Sequence, residues 1–329
     1  MSEAKMALVL GATGGIGGEM AGKLLARGWQ VRALHRNPEL APQGEPRPQW
    51  VKGDAMQAQD VVAAAQGASL IVHAVNPPGC RNWGQLVLPM LESTIAAARA
   101  VGARILLPGT VYNFGPDAFP LLSEASPQHP LTRKGAIRAE MERRLRVAAE
   151  GGVHTLILRA GDFFGPKAGN NWFAQGLVSQ GRPLSKISYP GNPGIGHAWA
   201  YLPDVAETMM RLVERDAATS PFEVFHFGGH FDADGSEMIS AIRRASGQPA
   251  LPVRRFPWTA LMALSPFVTL FREMREMRYL WRVPLRLDNT RLVAAIGAEP
   301  HTALDSAVGA TLRGIGCLAS PVPEKNARS

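Results

Sequence analysis

Cysteine is almost absent from this chain of 329 residues, which contains only Cys80 and Cys317. Two cysteines cannot build a disulfide framework or a zinc cage. The beginning of the sequence also lacks the basic stretch and apolar core that are typical of a secretory signal peptide. We therefore expect a protein of the reducing cytoplasm.

Long apolar runs without charge are also missing. The most apolar late segment, residues 258–281, is interrupted by Pro266, and four arginines crowd residues 272–282. Its length and charge exclude a transmembrane span. Its apolar stripe at helical spacing comprises Leu270, Met274, Met277 and Trp281. Such a stripe is most often a core face. We interpret this segment as a lid over an apolar substrate pocket, and a membrane-surface helix is the alternative.

Basic residues outnumber acidic ones, and the formal net charge is +8. Arg138 and the three arginines of 143–146 share a predicted helix with Glu140 and Glu142, as in a solvated, salt-bridged face. The basic residues do not form a stripe with interleaved aromatics, so we expect no nucleic-acid partner. The sequence also shows no metal-ligand cluster and no nucleophile elbow, and we expect no metal.

Apolar segments of strand length alternate with helical segments through the first half of the chain. The predicted strands there cover residues 6–10, 29–34, 50–54, 69–74 and 104–107. This alternation predicts an α/β protein with a doubly wound parallel sheet, the Rossmann arrangement. Clusters of Gly, Pro and Asn after Gly165 suggest inserted segments that build a smaller, discontinuous C-terminal substrate lobe. The predicted division is a Rossmann domain at 1–165 that also receives 199–230, a lobe at 166–198 and 231–320, and a flexible tail at 321–329.

A glycine-rich turn follows the first predicted strand and leads into a helix. Gly11 can make the tight turn, Gly14 lets backbone N–H groups approach a pyrophosphate, and Gly17 lets the helix lie close to the strand. The helix N-terminus then faces the anion. The alternative is a glycine-rich loop without a ligand. The predicted dinucleotide contacts in this turn are Gly11, Thr13, Gly14, Gly15, Ile16 and Gly17.

The second predicted strand ends without the acidic residue that would bind the ribose 2′-hydroxyl of NAD(H). Arg32 and Arg36 occur there instead, and guanidinium groups suit a 2′-phosphate. We therefore expect NADP(H) as cofactor, the alternative being that both arginines are surface charges. Asp54 is the last residue of the third predicted strand and is expected either to contact adenine or to cap the helix predicted at 57–66.

The turn Gly-Ala-Thr-Gly-Gly-Ile-Gly at 11–17 resembles that of the short-chain dehydrogenase/reductase superfamily, in its extended and atypical members similar to NAD-dependent epimerases and dehydratases. The resemblance resumes at 158–166, 201–206 and 301–304 and so covers most of the chain. It implies that the segment after the fourth strand lies along the dinucleotide, with contacts from Ala74, Val75 and Asn76. It also implies a homodimer formed through helices 82–101 and 132–150.

The Ser-Tyr-Lys triad of that family is missing. Pro108, Lys134 and Arg138 occupy the three corresponding positions. The pattern Lys134-x-x-Ile-Arg138 is similar to the helix of the isoflavone-reductase-like group, in which a lysine is the acid/base. The resemblance implies that Lys134 donates a proton and contacts the cofactor, with Arg138 orienting the ribose. Burial beside a guanidinium disfavours the charged lysine and eases proton transfer.

Tyr112 is the second catalytic candidate, and the alternative for Lys134 is that it faces solvent or a phosphate. The residues expected on the substrate side are Thr110, Asn113, Asn171, Trp199 and Trp281. We expect an NADPH-dependent reductase of a small, largely apolar carbonyl, enone or benzylic compound. The alternatives are a non-catalytic NADP(H) sensor similar to the NmrA-like group and, third, a nucleotide-sugar epimerase or dehydratase, which would need the missing tyrosine.

Overall fold

The computed structural model describes residues 5–77, 82–167, 171–215 and 220–319. Cys80 and the predicted flexible tail at 321–329 lie outside the described residues. The strands are β1 (Met6–Leu10), β2 (Gln30–His35), β3 (Gln49–Lys52), β4 (Leu70–His73), β5 (Arg104–Thr110), β6 (Leu121–Leu122), β7 (Thr155–Ala160), β8 (Asp162–Phe164), β9 (Ile187–Tyr189), β10 (His197–Tyr201), β11 (Phe222–His226), β12 (His230–Asp232), β13 (Val253–Arg255) and β14 (Arg286–Leu287). The α-helices are α1 (Gly15–Ala26), α2 (Ala58–Ala64), α3 (Trp83–Val101), α4 (Arg133–Glu150), α5 (Leu202–Glu214), α6 (Ser236–Ser246), α7 (Trp258–Leu264), α8 (Thr269–Glu276), α9 (Thr290–Ile296) and α10 (Leu304–Gly314).

Seven of the strands form one sheet in the order β11-β7-β5-β4-β1-β2-β3. All neighbouring pairs are parallel. One face packs on α2, α3 and α4 through residues such as Leu91 and Leu145, and the other packs on α1 and α5 through Met20 and Met209. Helices cover both faces, so the central strands are continuously apolar. The predicted doubly wound Rossmann fold is confirmed.

The strand β5 runs three residues further than the sequence pattern predicts. Pro108, Gly109 and Thr110 continue to pair with β7, although β4 no longer pairs beyond Leu106. Because Pro108 lies past the end of the β4 ladder, its missing N–H interrupts no pairing on that side. The extension carries Thr110 to the carboxyl edge of the sheet.

A second hydrophobic core lies outside the large sheet. It is built from aromatic residues such as Phe164, Trp172 and Trp199, together with α6 and α10, which pack against each other. The strand β10 joins this region by pairing with β8 in parallel and with β12 in antiparallel orientation. The division of the chain into a nucleotide-binding domain and a lobe at the boundaries given above stays a prediction.

The apolar segment 258–281 forms α7, α8 and a tight helical turn at Met277–Trp281. It is not one long helix, because Pro266 follows α7. Phe267, between the two helices, is 85% exposed. Among the residues that the structure describes, no helix is long and apolar enough to cross a membrane.

The charged helix α4 has two different faces, which corrects the single solvated face expected from sequence. Glu140 binds Arg143 and Arg144 at the surface, and these hydrogen bonds lower the pKa of Glu140 to about 2. Arg138 and Glu142 are instead buried, one turn apart on the inner face. Glu142 accepts hydrogen bonds from the buried guanidinium of Arg159. The inner charges of α4 therefore belong to the interior and to the site described next.

Candidate active site

The turn after β1 is shaped as a cradle for a phosphate group. Gly11 has φ +88°, and a Cβ there would lie 2.6 Å from the carbonyl oxygen of Ala74. A Cβ at Gly17 would collide with the carbonyl oxygen of Gly11. Gly14 is the N-cap of α1, no side chain caps the helix, and its first turn holds no acidic residue. The first N–H groups of α1 therefore remain available to an anion, and the turn fits the pyrophosphate of a dinucleotide.

A groove of about 1460 Å³ runs from this turn along the ends of β2, β3 and β4. Its lining includes the predicted cofactor residues Gly11, Thr13, Gly14, Gly15, Ile16, Arg36, Asp54, Ala74, Val75 and Asn76. Asp54 accepts a hydrogen bond from the N–H of Met56 (3.0 Å), and the N-cap of α2 is Gln57. The capping alternative for Asp54 is therefore wrong, and its carboxylate lies at the groove.

The two arginines predicted to bind a 2′-phosphate lie in different places. Arg36 lines the groove and is exposed, and within the described part of the chain its guanidinium makes no hydrogen bond or ion pair. Arg32 does not line the groove. Its guanidinium donates to the carbonyl oxygens of Ala64 (3.3 Å) and Gln66 (2.7 Å) at the end of α2. These carbonyls carry the negative end of the helix dipole, which holds Arg32 away from the cofactor edge.

A cavity of about 210 Å³ adjoins the groove and shares part of its wall. The shared residues are Ile16, Ala74, Val75, Asn76, Pro77, Phe163, Asn171 and Gln175. The remaining wall comes from the ends of β5 and β7, the beginnings of α3 and α4, and α8. Its lining is mixed, because apolar residues such as Trp83, Pro108, Met274 and Met277 lie beside polar and charged ones. A cofactor lying in the groove would thus border a cavity that offers both apolar surface and charged groups.

Lys134 is one of the four charged residues among the described residues that line this cavity. It is the second residue of α4, whose N-cap Thr132 accepts the N–H of Gly135 at 3.0 Å. The side chain does not face solvent, since the residue is only 7% exposed. Its Nζ lies 2.9 Å from the carboxylate of Glu273 on α8 and 5.6 Å from the centre of the Trp83 ring. The carboxylate and the ring are both favourable contacts for a buried lysine side chain.

Arg138 lies one turn after Lys134 on the same wall. Its Nη2 donates to Oδ1 of Asn76 (3.1 Å), and its Cζ lies 5.1 Å from the centre of the Trp83 ring. The guanidinium is therefore fixed between the cavity and the segment that follows β4. This position suits contact with a cofactor ribose, as the sequence predicts.

Sequence reasoning missed His73, the last residue of β4, which also lines the cavity. Burial and then Arg138 lower its pKa to about 3, so the imidazole is neutral. Thr94 donates its hydroxyl to the carbonyl of Met90 (3.1 Å) and therefore accepts from Nδ1–H of His73 (2.8 Å). Nε2 is left as a buried acceptor with no partner in the described structure. A polar residue at the end of a buried strand was the signal that could have found it.

Tyr112 and Asp162 form the opposite polar part of the cavity. The hydroxyl of Tyr112 donates to Oδ1 of Asp162 (3.4 Å), and Nε2 of His197 binds Oδ2 of Asp162 (2.9 Å). Thr110 lines the cavity too, and its Oγ1 accepts the N–H of Tyr112 (2.8 Å). Asp162 and Glu273 are site residues that the sequence patterns did not indicate.

Three predicted substrate residues lie away from the cavity. Asn113 is buried and donates to Gln128 (3.2 Å). Trp199 and Trp281 are each 1% exposed within the second core, where His197 stacks on Trp281 with ring centres 3.8 Å apart. The misplacement of the two tryptophans has one cause, because an aromatic in a lobe can fill a core as well as line a pocket. Asn171 does line the cavity, and its Oδ1 accepts the N–H of Ala174 (2.8 Å).

Known proteins share sequence similarity with this chain. Residues 11–170 match a family model described as NAD(P)H-binding. The chain is 32% identical over 269 residues to the 3-diazoavenalumate denitrifying reductase of a Streptomyces species, a match that covers 76% of this chain and 84% of that protein. The chain belongs to the NAD(P)H-binding short-chain dehydrogenase/reductase family. The family implies a nicotinamide cofactor and oxidoreductase chemistry.

Solved structures share the fold at low sequence identity. A Burkholderia cenocepacia protein named as an epimerase has a TM-score of 0.76 at 19% identity, over 96% of this chain and 99% of that one. The UDP-glucose 4-epimerase of Bifidobacterium longum, solved with NAD+ and UDP, has a TM-score of 0.72 at 15% identity, over 94% and 98%. Among the residues described here, no group of three or more His, Cys, Asp and Glu side chains could hold a metal ion.

Proposed function

We propose that this protein is an NADPH-dependent reductase of a small, largely apolar carbonyl, enone or benzylic compound. The observation that carries the proposal is a buried lysine, Lys134, on the wall of a cavity next to the dinucleotide groove. A buried proton donor beside the cofactor groove can protonate a substrate as the hydride arrives. The reductase relative from Streptomyces supports the reaction class, and its own substrate is not carried over.

The proposed roles begin with cofactor binding. The N-terminus of α1 and the glycine turn would hold the pyrophosphate, and Arg36 would bind the 2′-phosphate. Arg138, fixed by Asn76, would orient the nicotinamide ribose. Bound NADPH supplies the hydride that adds to the electrophilic carbon of the substrate.

The proton that the reduction requires would come from a side chain of the protein. As the carbonyl π bond opens, Nζ of Lys134 would donate a proton to the substrate oxygen and become a neutral amine. Glu273 keeps the ammonium in place before the reaction. Trp83, Met274 and Met277 would exclude water, which strengthens the interaction between the ammonium and the developing oxyanion. Tyr112, held by Asp162, is the second candidate donor.

A non-catalytic NADP(H) sensor is the second candidate function. Two observations favour it: Pro108 offers no hydroxyl to a substrate oxygen, and Lys134 is already paired with Glu273. NADPH consumption against a panel of carbonyl, enone and benzylic compounds distinguishes the two functions. Turnover of any of them supports the reductase. Tight NADPH binding without turnover throughout the panel supports the sensor.

Two wider expectations belong to the same proposal. A cytoplasmic location fits the scarcity of cysteine. A homodimer through α3 and α4 fits their arrangement, because the two helices pack side by side on one face of the sheet. Light scattering at micromolar concentration tests the dimer directly.

A further inference from the structure

A second cavity, of about 420 Å³, lies beneath the helices α7 and α8. Its walls are almost entirely apolar and include Ala174, Val178, Phe256, Leu261, Leu264 and Phe271. Ser179 and Gln175 are its only polar lining residues in the described chain. A site with so few polar partners does not suit ordered water or a charged ligand.

This second cavity adjoins the cavity that Lys134 lines, which we call the reaction cavity. Gln175 and Met274 line both of them and form the partition. Methionine is unbranched and adapts its shape readily, so Met274 can move aside at little cost. Alone, the reaction cavity of about 210 Å³ is smaller than the roughly 300–1,000 Å³ of ordinary small-molecule sites. Together, the two cavities fall within that range.

We propose that the second cavity is a subsite for an unbranched hydrocarbon tail of the substrate. The tail would pass Met274 and lie between α7 and α8, while the reducible head group faces Lys134. The identity of that head group rests on the proposed reductase function. The presence of the tail subsite rests on the apolar lining and the shared wall. The substrate class is therefore a carbonyl compound with an extended alkyl chain.

The test is a series of linear methyl ketones, from 2-butanone to 2-undecanone. Calorimetry in the presence of NADP+ measures binding without turnover. Because each buried methylene contributes roughly a fourfold gain in affinity, binding should tighten about threefold to fourfold per added carbon until the cavity is full. An affinity that does not depend on chain length overturns the proposal.

Two matched variants locate the tail. Ala260 is exposed on α7 and lines the second cavity, whereas Ala263 is exposed on the same helix and does not line it. Ala260→Phe should abolish the dependence of affinity on chain length, and Ala263→Phe should retain it. Equal slopes in both variants would overturn the assignment. Retained NADPH binding in each variant shows that it has folded.

Turnover is measured separately with NADPH. Chain-length-dependent binding without NADPH oxidation would remove the reductase function and leave the subsite in place. Oxidation that is insensitive to chain length, in wild type and in Ala260→Phe, would remove the subsite and leave the reductase. Met274→Ala, which opens the partition, should shift the preference toward longer ketones.

Discussion

The ammonium of Lys134 and the carboxylate of Glu273 lie 2.9 Å apart, although 139 positions separate them in the chain. One belongs to α4 at the edge of the sheet and the other to α8. Both side chains are largely shielded from solvent, so the pair connects the α8 wall to the proposed catalytic lysine. This arrangement gives α8 a role in holding the side chain of Lys134 in place.

Lys134→Met should lower kcat by about 10²–10⁴-fold, the usual scale for a lost general acid, with NADPH affinity largely retained. Lys134→Arg should not restore activity, because a guanidinium keeps its proton. Steady-state kinetics with a panel substrate and calorimetry with NADPH make the measurement. The exposed Lys186→Met is the control. Full activity in Lys134→Met would remove the lysine from the mechanism, and lost NADPH binding would make it a cofactor anchor.

Glu273→Gln should destabilise the fold, because it leaves the buried ammonium of Lys134 without its carboxylate. A charge-assisted hydrogen bond of this kind contributes about 1.5–3 kcal/mol. Urea unfolding of both single variants and of the double variant Lys134→Met/Glu273→Gln forms a double-mutant cycle. We expect the double variant to lose less stability than the two single variants together. Simple additivity would show that the pair contributes nothing to the fold.

The fold and the phosphate cradle could be predicted because their signals are local. The apolar run of β1 and the spacing of Gly11, Gly14 and Gly17 depend on backbone geometry that only neighbouring residues determine. Arg32 shows the limit of that reasoning. It lies inside β2, about 13 Å along the strand from Arg36, and finds carbonyls at the end of α2 that the sequence could not bring near it.

The cavity wall around Lys134 could be predicted only in part. Lys134 and Arg138 could be predicted because both lie on one helix. Glu273 belongs to the distant segment 258–281, which was interpreted as a lid from its apolar residues, and it pairs with Lys134 only in the folded chain. The available signal was that Glu273 precedes Met277 by four residues, which places the two on the same face of a helix. The mistaken placement of Trp281 has a related origin, since helical periodicity identifies an apolar face and not what covers it.

Acidification should destabilise the protein well before its carboxylates titrate. In the folded state burial holds the pKa of His73 at about 3, whereas the ordinary value is 6.5. Between these values the unfolded chain binds the extra proton, so the free energy of unfolding falls as the pH falls. Urea unfolding at pH 7 and pH 5 should show a loss of about 1–2 kcal/mol from this residue.

The variant His73→Gln should flatten part of that pH dependence. A remainder is expected from His226, whose pKa is also lowered to about 3, by burial and by Arg159. The exposed His154→Gln is the matched control and should keep the wild-type slope. An unchanged slope in His73→Gln would show that this imidazole is not buried in its neutral form.

The preference for NADP(H) should depend on Arg36 and not on Arg32. Arg36 is exposed at the groove, and among the described residues its guanidinium has no protein partner. Both of its terminal N–H groups can therefore donate to a 2′-phosphate. Arg36→Ala should weaken NADPH binding by about 1.5–3 kcal/mol, roughly 10- to 150-fold, and leave NADH affinity almost unchanged. Arg32→Ala, the same substitution four residues earlier, removes a guanidinium that already binds the end of α2 and should leave the ratio of the two affinities as in wild type.

Calorimetry with both cofactors and all three proteins measures that ratio. A wild-type preference for NADH, or a ratio that Arg36→Ala does not change, would remove the 2′-phosphate contact and would leave Arg36 as an ordinary surface charge.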